Sequence, residues 1–166
     1  MSRNVVVTGM GVVAPSGNTV GAFWSALEAG RCAIGPHTFK STEELWFTVP
    51  AAPVVDLDDK IKSIGQMSGR MDRFTQLAMI AADEAMSDSG LKVDDELAPR
   101  AAIIIGTGIG GQNTLQDNYV GMLCNGKRVH PLSILKVIPN APASHMSIRY
   151  GMRAVSYTHL TLPTKA

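Results

Sequence analysis

Ala101-Ala102-Ile103-Ile104-Ile105-Gly106-Thr107-Gly108-Ile109-Gly110-Gly111 is the stretch on which the fold turns. Its first five residues are apolar without interruption. This suits a strand covered on both faces, as in a parallel sheet, because a strand with one wet face alternates. The glycines that follow predict a tight strand-to-helix turn. Beyond them the pattern predicts a helix over about Asn113–Leu123, broken by Asn125-Gly126. Working outward, Val5-Val6-Val7-Thr8 reads as a buried strand ended by Gly9, and Thr19 as the cap of a helix through Ala29. Residues 31–68 carry scattered Pro and Gly and predict a surface excursion with short elements. Phe74, Leu77, Ala78, Ala81, Ala85 and Met86 recur at helical spacing, predicting a helix over Asp72–Ser89 stopped by Gly90. A last helix is expected over about Pro142–Tyr150, where Pro139 and Pro142 suit a first turn. Strand, helix, helix, strand, helix in this order indicates an α/β layer fold.

Gly106-x-Gly108-x-x-Gly111 is also the literal dinucleotide fingerprint, in which glycine lets backbone approach a pyrophosphate. That chemistry needs an acidic residue about 20 positions further on for the ribose. The chain has no Asp or Glu after Asp117, and the strand before the motif is the second, not the first. Close backbone packing is the preferred reason for these glycines.

Composition narrows the function classes. The 166 residues are 45% hydrophobic and 17% charged, enough for one domain with a core. No apolar run approaches the ~20 residues of a membrane helix, and Met1-Ser2-Arg3-Asn4 runs straight into Val5 with no signal peptide. The expected location is the cytoplasm. A net charge of +1 gives no general attraction to nucleic acid. Cys32 and Cys124 lack metal-ligand or C-x-x-C spacing, so no metal site is expected and both are expected to pack as small buried groups. After Asp117 come Lys127, Arg128, Lys136, Arg149, Arg153 and Lys165, so the last third either meets an anion or is balanced by charges elsewhere.

Several segments, in order, resemble one family. Val5 to Asn18 (VVVTGMGVVAPSGN), Arg70-Met71-Asp72-Arg73-Phe74, Asp88-Ser89-Gly90-Leu91, the glycine turn, His130-Pro131, Pro139-Asn140 and Tyr150-Gly151-Met152-Arg153 are together similar to the β-ketoacyl-acyl-carrier-protein synthases, particularly the elongating type II enzymes of fatty acid synthesis. The resemblance implies a thiolase-like fold, here part of its first α/β half, and a homodimer in the full-length family. It implies acyl transfer from acyl-carrier protein to a cysteine, then decarboxylative condensation with malonyl-carrier protein. No cofactor is implied, since the substrates ride on the carrier's phosphopantetheine.

By the same resemblance Ile109 lines the acyl pocket, with ordinary core packing the alternative. Arg70, Lys127 and Arg128 match carrier-docking positions, or are solvated loop charges. Leu132, Ser133 and Ile134 fall where the family builds its dimer and pocket wall. The family follows Tyr-Gly-x-Arg with Gly-Pro, a strand and Ala-Cys. Here Ala154-Val155 follows Arg153, and the nucleophile position falls on Pro163. Residues 1–153 are therefore expected to be an incomplete synthase domain and 154–166 a non-native tail, although Ser156–Leu162 alternates like a strand. No residue takes a catalytic position, and the chain alone is expected to be inactive. A polyketide-type ketosynthase and a non-catalytic chain-length-factor-like subunit are the alternatives.

Overall fold

The structure is a computed structural model and describes residues 4–40, 46–154 and 156–159. Helix α1 spans Val20–Glu28; the Thr19 side chain accepts from the Ala22 N–H and so caps it. Strands β1 (Gly35–Lys40) and β2 (Trp46–Ala51) form an antiparallel hairpin with Gly35 opposite Ala51. Phe39 and Phe47 stack across it at 5.6 Å between ring centres, a cross-strand pair of the kind that holds small sheets. Helix α2 (Asp58–Ile64) and a 3-10 turn (Gln66–Arg70) lead into the long helix α3, Arg73–Ser89, ended by Gly90 in the left-handed region. Then come β3 (Ile103–Gly106), α4 (Gln112–Asn125), α5 (Ser133–Val137), α6 (Ala141–Tyr150) and β4 (Ser156–His159). β4 runs parallel to β3, with Ile103 opposite Ser156.

The α/β expectation holds, and so do the four expected helices and the stops expected at Gly90 and Gly126. The core lies between α2, α3 and α6 and takes in one face of β3, with Leu57, Ile64, Met71, Met79, Ile80 and Met146 buried. Two expectations about strands do not hold. Val5, Val6 and Val7 form no strand and are 95%, 73% and 82% exposed. A strand exists only through its neighbours' hydrogen bonds. Here the adjoining N–H groups turn to carboxylates instead: Met10 N–H donates to Asp88 Oδ2 at 2.9 Å and Val12 N–H to Glu84 Oε2 at 3.0 Å. β3 is likewise covered on one face only. Ile103 and Ile105 pack on the core, while Ile104 is 68% exposed.

Helix α3 organises these parts through its acidic side chains. Glu84 also accepts from the Val20 N–H at 2.8 Å, holding the first turn of α1. Asp83 takes the Arg149 guanidinium at 2.8 Å and the Tyr150 hydroxyl, clamping α6 onto α3. Burial first, and the Asp83 carboxylate second, push the Tyr150 phenol far above its ordinary value. The fully buried α3 residues are Thr75, Met79 and Ile80. The stripe expected from spacing is only half-buried, because α3 is packed on several sides by α2, α6 and the loop before α1. On that loop side no room remains for a side chain. A Cβ on Gly9 would lie 2.3 Å from Ala85 O, and one on Gly11 would lie 1.9 Å from Ala81 O.

The excess positive charge of the last third is partly balanced inside the chain. Arg149 pairs with Asp83, and Arg153 pairs with Asp95 at 2.7 Å.

Candidate functional site around the glycine turn

The turn after β3 is built by backbone contacts. Gly110 has φ +94°, and its N–H donates to Thr107 Oγ1 at 3.3 Å. Gly111 N–H donates to Val137 O at 3.0 Å. A Cβ on Gly110 would lie 2.5 Å from Val137 O, and one on Gly111 would lie 2.5 Å from Lys136 O. The turn therefore packs directly on the backbone of α5, a short helix that the sequence reading missed. Gly106 and Gly108, by contrast, face open space. The glycines under constraint are those facing α5, as expected for close packing.

This arrangement presents Ile109 at 67% exposure on the turn and Ile134 at 63% on α5, with Leu132 43% exposed beside it. Ile109 is thus not core. Ser133 is buried, its hydroxyl 3.4 Å from Asn118 Oδ1 of α4. The three residues expected as one wall divide, with Ser133 tying α5 to α4 and its two neighbours facing out. An apolar cavity of about 150 Å³ lies on the α4 side, lined by Leu115, Asn118, Tyr119, Met122 and Val129. Helix α4 has Gly111 at its N-cap and so no capping side chain there. The Thr114 N–H instead donates to Asp72 Oδ2 at 2.6 Å, while Asp72 Oδ1 accepts from the Phe74 N–H at 3.2 Å.

Lys127 and Arg128 are exposed in the loop after α4, and Arg70 is exposed at the end of the 3-10 turn. Among the described residues none of the three forms an ion pair. Lys136 Nζ donates to Gly69 O at 2.8 Å, which brings α5 against the turn that carries Arg70. The turn that carries Arg70 thus lies against α5, and the loop that carries Lys127 and Arg128 leads into it.

Cys32 and Cys124 are both exposed, against the expectation of burial. Cys32 follows the Gly30 stop of α1, and Cys124 sits in the last turn of α4, on its outer surface. Pro163 lies outside the described residues. His37 packs edge-on to Phe39, and His130 Nδ1 accepts from the Leu132 N–H at 3.1 Å. Among the described residues no group of His, Cys, Asp or Glu could hold a metal ion, and no helix is long and apolar enough to cross a membrane.

His145, on α6, is half-buried, and burial lowers its pKa below the ordinary 6.5. The folded state therefore favours the neutral ring and the unfolded chain binds the proton more readily. This contribution to stability is present above about pH 6.5 and is lost as pH falls through the lower folded value. The His145→Gln variant is expected to lose less melting temperature than the parent between about pH 7.5 and pH 5.5. Equal losses in both proteins would contradict the assignment.

The sequence profile described as beta-ketoacyl synthase, N-terminal domain, matches residues 2–162. The match continues past residue 153, into the segment that reads as foreign. The 3-oxoacyl-[acyl-carrier-protein] synthase 2 of Coxiella burnetii is 36% identical over 163 residues, which cover 98% of this chain and 39% of that protein. Among solved structures, a ketosynthase complex described as a type II polyketide synthase acyl-carrier protein with its ketosynthase bound to the hexaketide aligns at TM-score 0.72 and 25% identity, covering 94% of this chain and 41% of the matched one. The ishigamide ketosynthase/chain length factor aligns at 0.70 and 26%, covering 92% and 39%. The chain thus spans about two fifths of the length of the relatives it matches.

Proposed function

This chain belongs to the β-ketoacyl synthase family, whose N-terminal domain it carries, and from that premise we propose that it is part of an enzyme joining an acyl thioester to malonyl-acyl-carrier protein. In the first stage a thiolate attacks the carrier thioester, and the carrier thiol leaves with a proton. In the second, malonyl-carrier protein loses carbon dioxide. The carbanion equivalent at C2 attacks the enzyme thioester, the thiolate departs, and a 3-oxoacyl chain two carbons longer remains on the carrier. Fatty acid elongation is the pathway favoured by the 36% identity to a 3-oxoacyl-[acyl-carrier-protein] synthase 2. A polyketide-type ketosynthase, or a chain-length-factor-like subunit, is the second reading, favoured by the similarity to a type II polyketide synthase ketosynthase and to a ketosynthase/chain length factor. The reaction needs no cofactor, since carrier phosphopantetheine brings both substrates, and we place it in the cytoplasm, in a homodimer.

The observation that supports this reading best is the close backbone packing of the glycine turn on α5, with Ile109 on the one and Ile134 on the other both exposed; together they are read as an apolar wall. We assign the acyl chain to that wall and the acidic carrier to Arg70, Lys127 and Arg128. Complementary charge of this kind sets encounter rate and register more than it sets final affinity. Neither Cys32 nor Cys124 is placed as the thiolate.

Binding of an acidic acyl-carrier protein tests the assignment. Affinity is expected to fall at least tenfold in the Lys127→Glu/Arg128→Glu double variant, and to weaken steeply as salt rises from about 50 to 500 mM. Equal binding by parent and variant would remove the docking surface. The 166-residue polypeptide alone is expected to release no 3-oxoacyl product from acyl- and malonyl-carrier protein. Malonyl-dependent extension by it would overturn the exclusion of its two cysteines.

A further inference from the structure

We propose that Asp72 is the positioning residue of the glycine turn, so that the acyl-site wall is set from the start of α3. The assignment of Ile109 to an acyl site rests on the function proposed above; the mechanical part of the inference does not.

Helix α4 begins at Gln112, directly after the turn, and its N-cap is Gly111. The first N–H groups of a helix have no partner within it and need a capping acceptor. Ser, Asp or Asn would ordinarily supply one from the cap position. Gly111 cannot be exchanged for any of these, because its Cβ would sit 2.5 Å from Lys136 O and 2.8 Å from Val137 Cα. The close approach that joins the turn to α5 thus removes α4's own cap, and the acceptor must be brought from elsewhere.

Asp72 supplies it from 42 residues upstream. The residue is 4% exposed. Oδ1 accepts from Phe74 N–H at 3.2 Å and caps α3; Oδ2 accepts from Thr114 N–H at 2.6 Å and caps α4. One buried side chain therefore accepts backbone N–H groups at the starts of two helices. Among the described residues no Lys, Arg or His forms an ion pair with it. The turn bearing Ile109 is then held at three places: Thr107 Oγ1 on Gly110 N–H, Val137 O on Gly111 N–H, and Asp72 on α4. Of these three, the last connects the turn to the start of α3.

The helix-capping chemistry separates the two roles of Asp72. Serine caps α3 well but is too short to reach Thr114. Asparagine keeps the shape, yet once its oxygen serves Phe74 its amide group meets the Thr114 N–H donor to donor. In both Asp72→Ser and Asp72→Asn, hydrogen exchange is expected to speed up about tenfold or more at Thr114 and over residues 108–111. At Phe74 and in the middle of α3 it should stay within about twofold of the parent. Unchanged exchange at Thr114, or a uniform rise across the whole chain, would overturn the proposal. A second measurement compares binding of acyl-pantetheine thioesters of eight and sixteen carbons to the parent, to Asp72→Asn and to Ile109→Ala. A shift in the preference between the two thioesters in both variants is expected. A shift in Ile109→Ala alone would show that Asp72 does not place the wall, and would overturn the proposal. If the parent binds neither thioester, the acyl-site reading fails, and the exchange measurement still decides whether Asp72 holds the turn.

Discussion

Gly11→Ala is expected to destabilise the chain by on the order of 3 kcal/mol or more, whereas Gly21→Ala is expected to stabilise it slightly. The contrast is steric. At Gly11 the new methyl would lie 1.9 Å from Ala81 O and 2.8 Å from Ala85 N, which are backbone atoms of α3. A rigid helix cannot move aside as a flexible side chain can, so the loop over residues 9–12 must lift. That movement also breaks the hydrogen bonds from Met10 N–H to Asp88 and from Val12 N–H to Glu84. Gly21 lies inside α1, and a Cβ there meets nothing within 4 Å. Alanine at such a site restricts the unfolded chain and favours the helix by about 0.5–1 kcal/mol. For a chain of this size the Gly11 change corresponds to a loss of roughly 6–12 °C in melting temperature. Melting curves of the two variants that coincide would refute the seating of the loop on α3.

The second large effect is expected at Gly110. Two costs add there. A φ of +94° lies outside the regions open to a side-chain-bearing residue, and a Cβ would stand 2.5 Å from Val137 O. Strain of this kind costs about 1–3 kcal/mol, and the clash separates the turn from α5 in addition. Gly110→Ala is therefore expected to lose about 3 kcal/mol and to expose the Gly111 N–H now held by Val137 O. Gly108→Ala is the control. It has open space around it and no positive φ, so it should stay within about 0.5 kcal/mol of the parent. Chemical denaturation of both variants measures the difference. If Gly108→Ala proved the costlier change, the turn would be built to receive something at its open end, and the packing explanation of its glycines would fail.

The long helices were legible in the chain itself because their signals are local. Thr19, Asp72 and the stops at Gly90 and Gly126 act within a few residues of the helix ends they mark. The resemblance to β-ketoacyl synthases could be read for the same reason: it rests on short ordered segments. Strand burial could not be read in this way. Val5–Val7 and Ile104 have the residue types of a covered strand, yet cover is supplied by neighbours, and among the described residues those neighbours are not there to bury them. The short helix α5 has too few residues for a periodic signal and is held by Lys136 on Gly69, Ser133 on Asn118 and the approach of Gly110 and Gly111. Cys32 and Cys124 were misplaced because their residue type favours burial while their positions do not. The double use of Asp72 was equally hidden, since a helix cap is visible in sequence and a partner 42 residues away is not. Sequence determines what each segment prefers within a few residues. Which glycine must stay bare, which carboxylate is shared and which apolar face is left open are settled only when distant backbones come within van der Waals reach.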